Sequence, residues 1–258
     1  MADTTKLLIP PYIIDTIVRG SAHVSTNTPC QDAYAFTQLG DTLIIAVADG
    51  LGSAAMSDHG ADLAVATAVQ YIADFLTTHL SGSHKDILSM AAKTVHETLK
   101  REAENTGISI RDLATTLIIT IVSPSSVTAA HIGDGAVVIK TRTTLQILSG
   151  PDDDAYANEV VPITSDAWES YLKINECTES IYDIAVFTDG CQRAAIRKDP
   201  SGMRAFEGFF SPLFSHMETL TDPVSGKQDL LELLESDQIC ESSQDDKTMV
   251  IGIVARQK

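Results

Sequence analysis

Positive charge is scarce in this 258-residue chain: 18 Lys and Arg stand against 35 Asp and Glu, a formal net charge of −17. Nucleic-acid-binding surfaces are basic, so the balance argues against a nucleic-acid partner. It argues equally against an anionic membrane surface. No apolar run approaches the length of a membrane span. Met1 to Lys6 lack a charged segment leading into an apolar core, so no signal peptide is expected and the expected location is cytoplasmic. The four cysteines, Cys30, Cys177, Cys191 and Cys240, are far apart and include no CxxC pair. They read as free thiols in a reducing compartment, not as a disulfide framework or a zinc site. Internal repeats and low-complexity tails are also missing.

What is present suffices for a full core. With 44% hydrophobic residues, one domain over residues 1–258 is expected. β-branched runs predict strands at Tyr12–Val18, Ala33–Thr37, Leu43–Ala48, Leu113–Val122, Ser126–Ile132, Ala136–Thr141, Thr144–Leu148, Ile181–Thr188 and Thr248–Val254. Gly20 to Gln31 reads as a loop. Val65, Val69, Ile72 and Leu76 follow 4-3-4 spacing, as do Leu88, Ala92, Val95 and Leu99. They predict amphipathic helices over Asp58–Thr78 and Lys85–Asn105. Shorter helices are expected at Ser165–Tyr171 and Lys227–Glu235. The order of strands, two helices, strands and helices predicts segregated α+β layers.

The chain is organised around Leu43–Ser53, where six apolar residues run into Asp49, Gly50, Leu51 and Gly52. A carboxylate at the end of a buried strand must be paired, hydrogen-bonded or metal-bound. A plain turn is the alternative reading of any one Asp-Gly step. The pattern recurs, however, at Gly133-Asp134-Gly135, Thr188-Asp189-Gly190 and Asp245-Asp246-Lys247-Thr248, and Gln31-Asp32 precedes a further strand. Carboxylates converging on one pocket need cations or protons to coexist. All-oxygen ligand sets favour Mg²⁺ or Mn²⁺. Such cations would also reverse the acidic sign locally for a phosphorylated substrate.

In this order the motifs resemble the type 2C, metal-dependent protein phosphatases, from about Tyr12 to Val254. Gly20-Ser21-Ala22-His23, Pro29-Cys30-Gln31-Asp32, Tyr156-Ala157-Asn158 and Phe187 to Arg193 are similar to a compact bacterial branch of that family. The resemblance implies a four-layer α-β-β-α sandwich of two antiparallel sheets with a binuclear Mg²⁺/Mn²⁺ site at one end. It implies hydrolysis of phosphoserine and phosphothreonine in phosphoproteins by a metal-activated water, opposing a Ser/Thr kinase in signalling. Asp49 would bridge two metals and the Gly50 carbonyl would bind the second. Asp189 and Asp245 would hold the first. Asp134 with Asp189 would serve a third, weaker one. Asp32 would act through water.

The chain departs from the family pattern at three positions. Gln31 stands where a glutamate is common and offers a carbonyl oxygen without charge. Asn27 stands where a phosphate-gripping arginine is found, which leaves His23 as the candidate substrate contact. Leu51 stands where some relatives place a histidine general acid. Two other readings stay open on these departures: a catalytically weak phosphopeptide- or partner-binding module, and a phosphatase for a small phosphorylated metabolite. Lys247 reads as neutralising local charge, and Asp152-Asp153-Asp154 as a solvated loop. Tyr156 and Asn158 read as a possible substrate flap. His131 is expected to pack; His59, His79, His84, His96 and His216 show no ligand spacing.

Overall fold

The computed structural model describes residues 10–79, 82–151, 160–200 and 202–254. Asp152 to Asp154, Tyr156 and Asn158 lie outside the described residues. The chain begins with β1 (Tyr12–Val18), α1 (Ser21–Thr26), β2 (Asp32–Leu39) and β3 (Thr42–Asp49). Two long helices follow, α2 (Ser57–Thr78) and α3 (His84–Thr106). Next come β4 (Leu117–Ser123), β5 (Ser126–Ile132), β6 (Ala136–Thr141), β7 (Leu145–Ser149), α4 (Trp168–Tyr171), β8 (Lys173–Cys177) and β9 (Ile181–Phe187). The remainder is α5 (Gln192–Ala195), β10 (Ile196–Asp199), β11 (Gly202–Ala205), α6 (Glu207–Met217), α7 (Pro223–Glu235), α8 (Asp237–Cys240) and β12 (Lys247–Ile253).

Two five-stranded antiparallel sheets result, in the orders β1-β12-β9-β6-β7 and β2-β3-β4-β5-β8. Alternation along β3 decides how they stack. Leu43, Ile45 and Val47 face the space between the sheets, where they meet Ile118, Val137, Ile184, Val186 and Val250. Ile44, Ala46 and Ala48 point the other way, into a core closed by Val65, Ile72, Leu88, Val95 and Leu99 of α2 and α3. On the far side, Phe187, Met249 and Ile251 pack against Phe210 and Phe214 of α6 and Leu230 and Leu234 of α7. Three apolar cores therefore separate four layers, helices–sheet–sheet–helices, the arrangement the family resemblance implies.

Four local features depart from the sequence reading. The segment read as a loop before Gln31 contains α1, held from outside itself: the Ala22 amide donates to the Gln244 carbonyl at 3.1 Å. The strand expected from Leu113 starts at Leu117, because Ser109 and Asp112 cap a tight turn over Ile110–Leu113. The edge strand β8 was not predicted. Neither was the β10–β11 hairpin.

Candidate metal centre

The strand ends bring the aspartates together at one end of the sandwich. Asp49 ends β3 in one sheet, and Asp189 and Asp245 flank β9 and β12 in the other. Asp134 lies in the crossover from β5 to β6, which joins the two. Carboxylate oxygens of Asp49, Asp134 and Asp189 all lie within 4.8 Å of one another. They border a cavity of about 210 Å³ also lined by His23, Gln31, Gly50, Gly52, Thr116 and Asp245.

Backbone contacts fix the Asp49 turn. Its amide donates to Thr116 Oγ1 at 2.9 Å, and its carbonyl accepts from the Thr116 amide at 2.8 Å. The Gly50 amide donates to the Gln31 carbonyl at 3.0 Å. A Cβ on Gly50 would stand 2.6 Å from the Ser57 carbonyl oxygen, so only glycine lets α2 start this close to the strand end. The second tight approach is at Gly190, where a Cβ would stand 1.9 Å from the Asp246 carbonyl oxygen.

Asp32 opens β2 directly across the ladder from Asp49. Its side chain is buried, and Oδ2 accepts the Thr188 hydroxyl at 2.8 Å. Thr188 in turn accepts the Thr248 amide at 3.0 Å, tying β9, β12 and β2 together under the cavity. Gln31 is buried beside it, and an added Cβ at Gly52 would lie 3.7 Å from Gln31 Oε1. That puts the amide oxygen at the Gly50–Gly52 loop. Asp245 borders the cavity but stands outside the close trio. It groups instead with His23 and Asp246, whose ligand atoms also lie within 4.8 Å of one another.

Asn27 and Lys247 can now be placed. Asn27 is exposed and ends α1 in a left-handed conformation, φ 56°, which asparagine tolerates well. Lys247 is buried, and its Nζ donates to the Asp245 carbonyl at 2.9 Å, consistent with a local neutralising charge. Asp246 carries more than the sequence reading assigned to it. Oδ1 accepts the Gly20 amide at 2.6 Å; Oδ2 accepts the Gln31 amide at 2.6 Å and pairs with His23 Nδ1 at 2.8 Å. The signal was available: Asp246, Thr248 and Val250 alternate onto the face between the sheets. Gln192 was also missed; its side-chain amide donates to the Asp134 carbonyl from one turn beyond Asp189. His131 packs as expected, buried with Nδ1 3.0 Å from Ser149 Oγ.

Among the described residues lining the cavity, none is Lys or Arg. The carboxylates respond accordingly. Burial pushes Asp49 well above the usual carboxylate range, and the charges of Asp32, Asp189, Asp245 and Asp134 push it further. Burial and neighbouring charges raise Asp32 to about 8, against the opposing pull of the Thr188 hydroxyl. Burial, then Asp134 and Asp245, raise Asp189 to about 6. Burial lifts Asp134 as well. Asp32 Oδ1 and Asp189 Oδ1 are buried with no hydrogen-bond partner among the described residues. Crowded carboxylates with uncommitted oxygens, on a wall whose described residues include no Lys or Arg, fit a hard divalent metal, which supplies the missing charge and takes oxygen ligands.

Comparison with known proteins points the same way. Residues 19–235 match the family model described as protein phosphatase 2C. Serine/threonine-protein phosphatase 3 of Escherichia coli (strain K12) is 32% identical over 246 residues, which span 92% of this chain and 95% of the relative. A bacterial serine phosphatase crystal structure shares the fold with a TM-score of 0.66 at 11% identity, covering 96% of this chain and 100% of that one. The catalytic domain of the serine threonine protein phosphatase PstP, in complex with 2 manganese ions, gives 0.64 at 14% identity, over 96% of this chain and 99% of its own.

Proposed function

This chain belongs to the protein phosphatase 2C family of phosphatases, and on that premise we propose that it is a Mg²⁺- or Mn²⁺-dependent enzyme. Its substrates in this reading are phosphoserine and phosphothreonine in phosphoproteins made by a Ser/Thr kinase. The observation that carries the reading is the convergence of Asp49, Asp134 and Asp189 oxygens within 4.8 Å in one cavity. Asp49, Asp189, Asp245 and the Gly50 carbonyl would hold two cations. Asp134 and Asp189 would serve a third, weaker one, with Asp32 acting through water and Gln31 offering a neutral oxygen. When bound, such cations supply an acidified water as nucleophile and positive charge for the phosphoryl oxygens.

The chain's own residues orient the site. Thr116 fixes the direction of Asp49 through its amide, and Thr188 fixes Asp32. Gln192 holds the Asp134 turn through its carbonyl. Leu51 borders the cavity and has no proton to donate to a leaving group. Among the described residues the cavity wall holds no Lys or Arg, which leaves cations as the source of charge for phosphate binding.

The test is hydrolysis of p-nitrophenyl phosphate and of a phosphoserine peptide. EDTA should abolish both, Mn²⁺ should restore both, and Asp49→Ala should remain inactive at saturating Mn²⁺. Activity that survives EDTA and the substitution would overturn the mechanism. Peptide turnover far above that of small phosphorylated metabolites is the expected preference.

A further inference from the structure

Apart from the Asp49–Asp134–Asp189 trio, one other group of possible ligand atoms borders the cavity. A ring nitrogen of His23 and one carboxylate oxygen from each of Asp245 and Asp246 lie within 4.8 Å of one another. Asp246 is fully engaged, because both of its oxygens accept backbone amides, from Gly20 and Gln31. The proton shared between Asp246 and His23 therefore sits on Nδ1, 2.8 Å from Oδ2. With Nδ1 turned to Asp246, Nε2 is the ring nitrogen left to take a cation at the cavity that His23 lines. The ring is held by Asp246 at Nδ1 and is largely buried, its side chain 17% exposed. An imidazole whose other nitrogen donates to a carboxylate is the usual arrangement of a metal-ligating histidine.

We propose that His23 Nε2 and a carboxylate oxygen of Asp245 form a mixed nitrogen–oxygen ligand pair for a divalent transition-metal ion at the edge of this cavity. The assignment rests on the cation-dependent reading above, and it moves His23 from the phosphate to the metal. Asp246 is then a positioning residue that fixes the tautomer and orientation of the ring. The aspartates alone offer only oxygen, which suits Mg²⁺ and Mn²⁺ alike. One imidazole in the set tilts the preference toward Mn²⁺, Co²⁺ or Zn²⁺ and away from Mg²⁺. Gln31 strengthens the point, because a neutral amide leaves the cavity one charge short of the glutamate common in the family.

Pulsed electron paramagnetic resonance on the full-length protein loaded with Mn²⁺ reads the proposal directly, without a variant. His23 is the only histidine among the described residues lining the cavity, so a directly coordinated ¹⁴N coupling would identify it. The coupling is expected in the wild type and absent in His23→Gln. Calorimetric titration should show Mn²⁺ affinity falling about tenfold in His23→Gln and in Asp246→Asn. Mg²⁺ affinity should change by less than about twofold in His23→Gln. Mn²⁺ bound without nitrogen coupling would overturn the assignment while leaving the cation-dependent reading intact. Failure to bind Mn²⁺ at all would overturn both. A His23→Gln variant that loses affinity for inorganic phosphate, with its preference for Mn²⁺ over Mg²⁺ unchanged, would return His23 to the phosphate.

Discussion

At the scale of single residues, substitutions at Gln31 and Asp134 would test metal binding and catalysis separately. Gln31 is buried beside Asp32 and faces the Gly50–Gly52 loop, so a charge placed there acts on whatever the loop holds. Gln31→Glu should lower the metal concentration for half-maximal activity by about tenfold, if the added charge contributes roughly 1.4 kcal/mol. An unchanged requirement would show that the side chain does not reach the cation. Asp134 lies in the crossover between sheets, held by Gln192 through its backbone, so its carboxylate can be removed without cutting a strand. Asp134→Ala should fold, retain two tightly bound metals and lose about 10²-fold or more in turnover of a phosphoserine peptide. The loss should be smaller on p-nitrophenyl phosphate, whose leaving group needs little protonation. Equal losses would argue against a leaving-group role, and normal peptide turnover would make Asp134 a plain turn residue.

At the scale of elements, the turn after β9 and the approach to β12 are in backbone contact. A Cβ on Gly190 would stand 1.9 Å from the Asp246 carbonyl oxygen, so Gly190→Ala must push the two segments apart. Asp189 and Asp246 move with them. The expected result is a loss of about 1–3 kcal/mol in stability and weaker Mn²⁺ binding, read by thermal unfolding and calorimetry. A wild-type melting temperature would show that the turn can relax without cost. Elements with strong periodicity were legible in the sequence: β1, β5 and β6 have the predicted bounds, α2 differs by a residue at its start and α3 by a residue at each end. Several short elements were not. Ser21 to Thr26 is rich in hydroxyl and β-branched residues, so α1 has little helix propensity and depends on Gln244 and Asp246 for its place. In β8, at a sheet edge, only Ile174 packs against the helix-side core and only Cys177 against the core between the sheets, too little for an alternation signal. The strand-end aspartates were visible because each ends or begins an apolar run. Asp246 was harder to read, since its role is set by three partners more than 200 residues distant in the chain, Gly20, His23 and Gln31.

At the scale of the whole molecule, the acidic centre makes stability depend on pH and metal in opposite ways. Asp32 at about 8 and Asp189 at about 6 are raised above the roughly 3.9 of an aspartate in an unfolded chain. Between these values the folded protein binds more protons than the unfolded one. Metal-free protein should therefore gain stability as pH falls from about 8 to 6. The net charge of −17 works in the same direction, because protonation relieves self-repulsion. With Mn²⁺ present the cations compete for the same oxygens, so the trend should flatten or reverse. Melting curves at three pH values, with EDTA and with Mn²⁺, decide the matter. Metal-free protein that becomes more stable toward pH 8 would show that the carboxylates are not crowded as described.

The two sheets contribute carboxylates from opposite sides of one apolar layer: Asp49 from one, Asp189 and Asp245 from the other. A cation held by both is a removable cross-link, closing a loop from Asp49 to Asp245 that includes most of the chain. Sliding the sheets apart would have to break that link before it exposed the valines and isoleucines between them. In the proposed reading metal occupancy would set the lifetime of the folded state as well as its chemistry, and a chelator should open the sandwich to proteases at the same concentration at which it abolishes turnover.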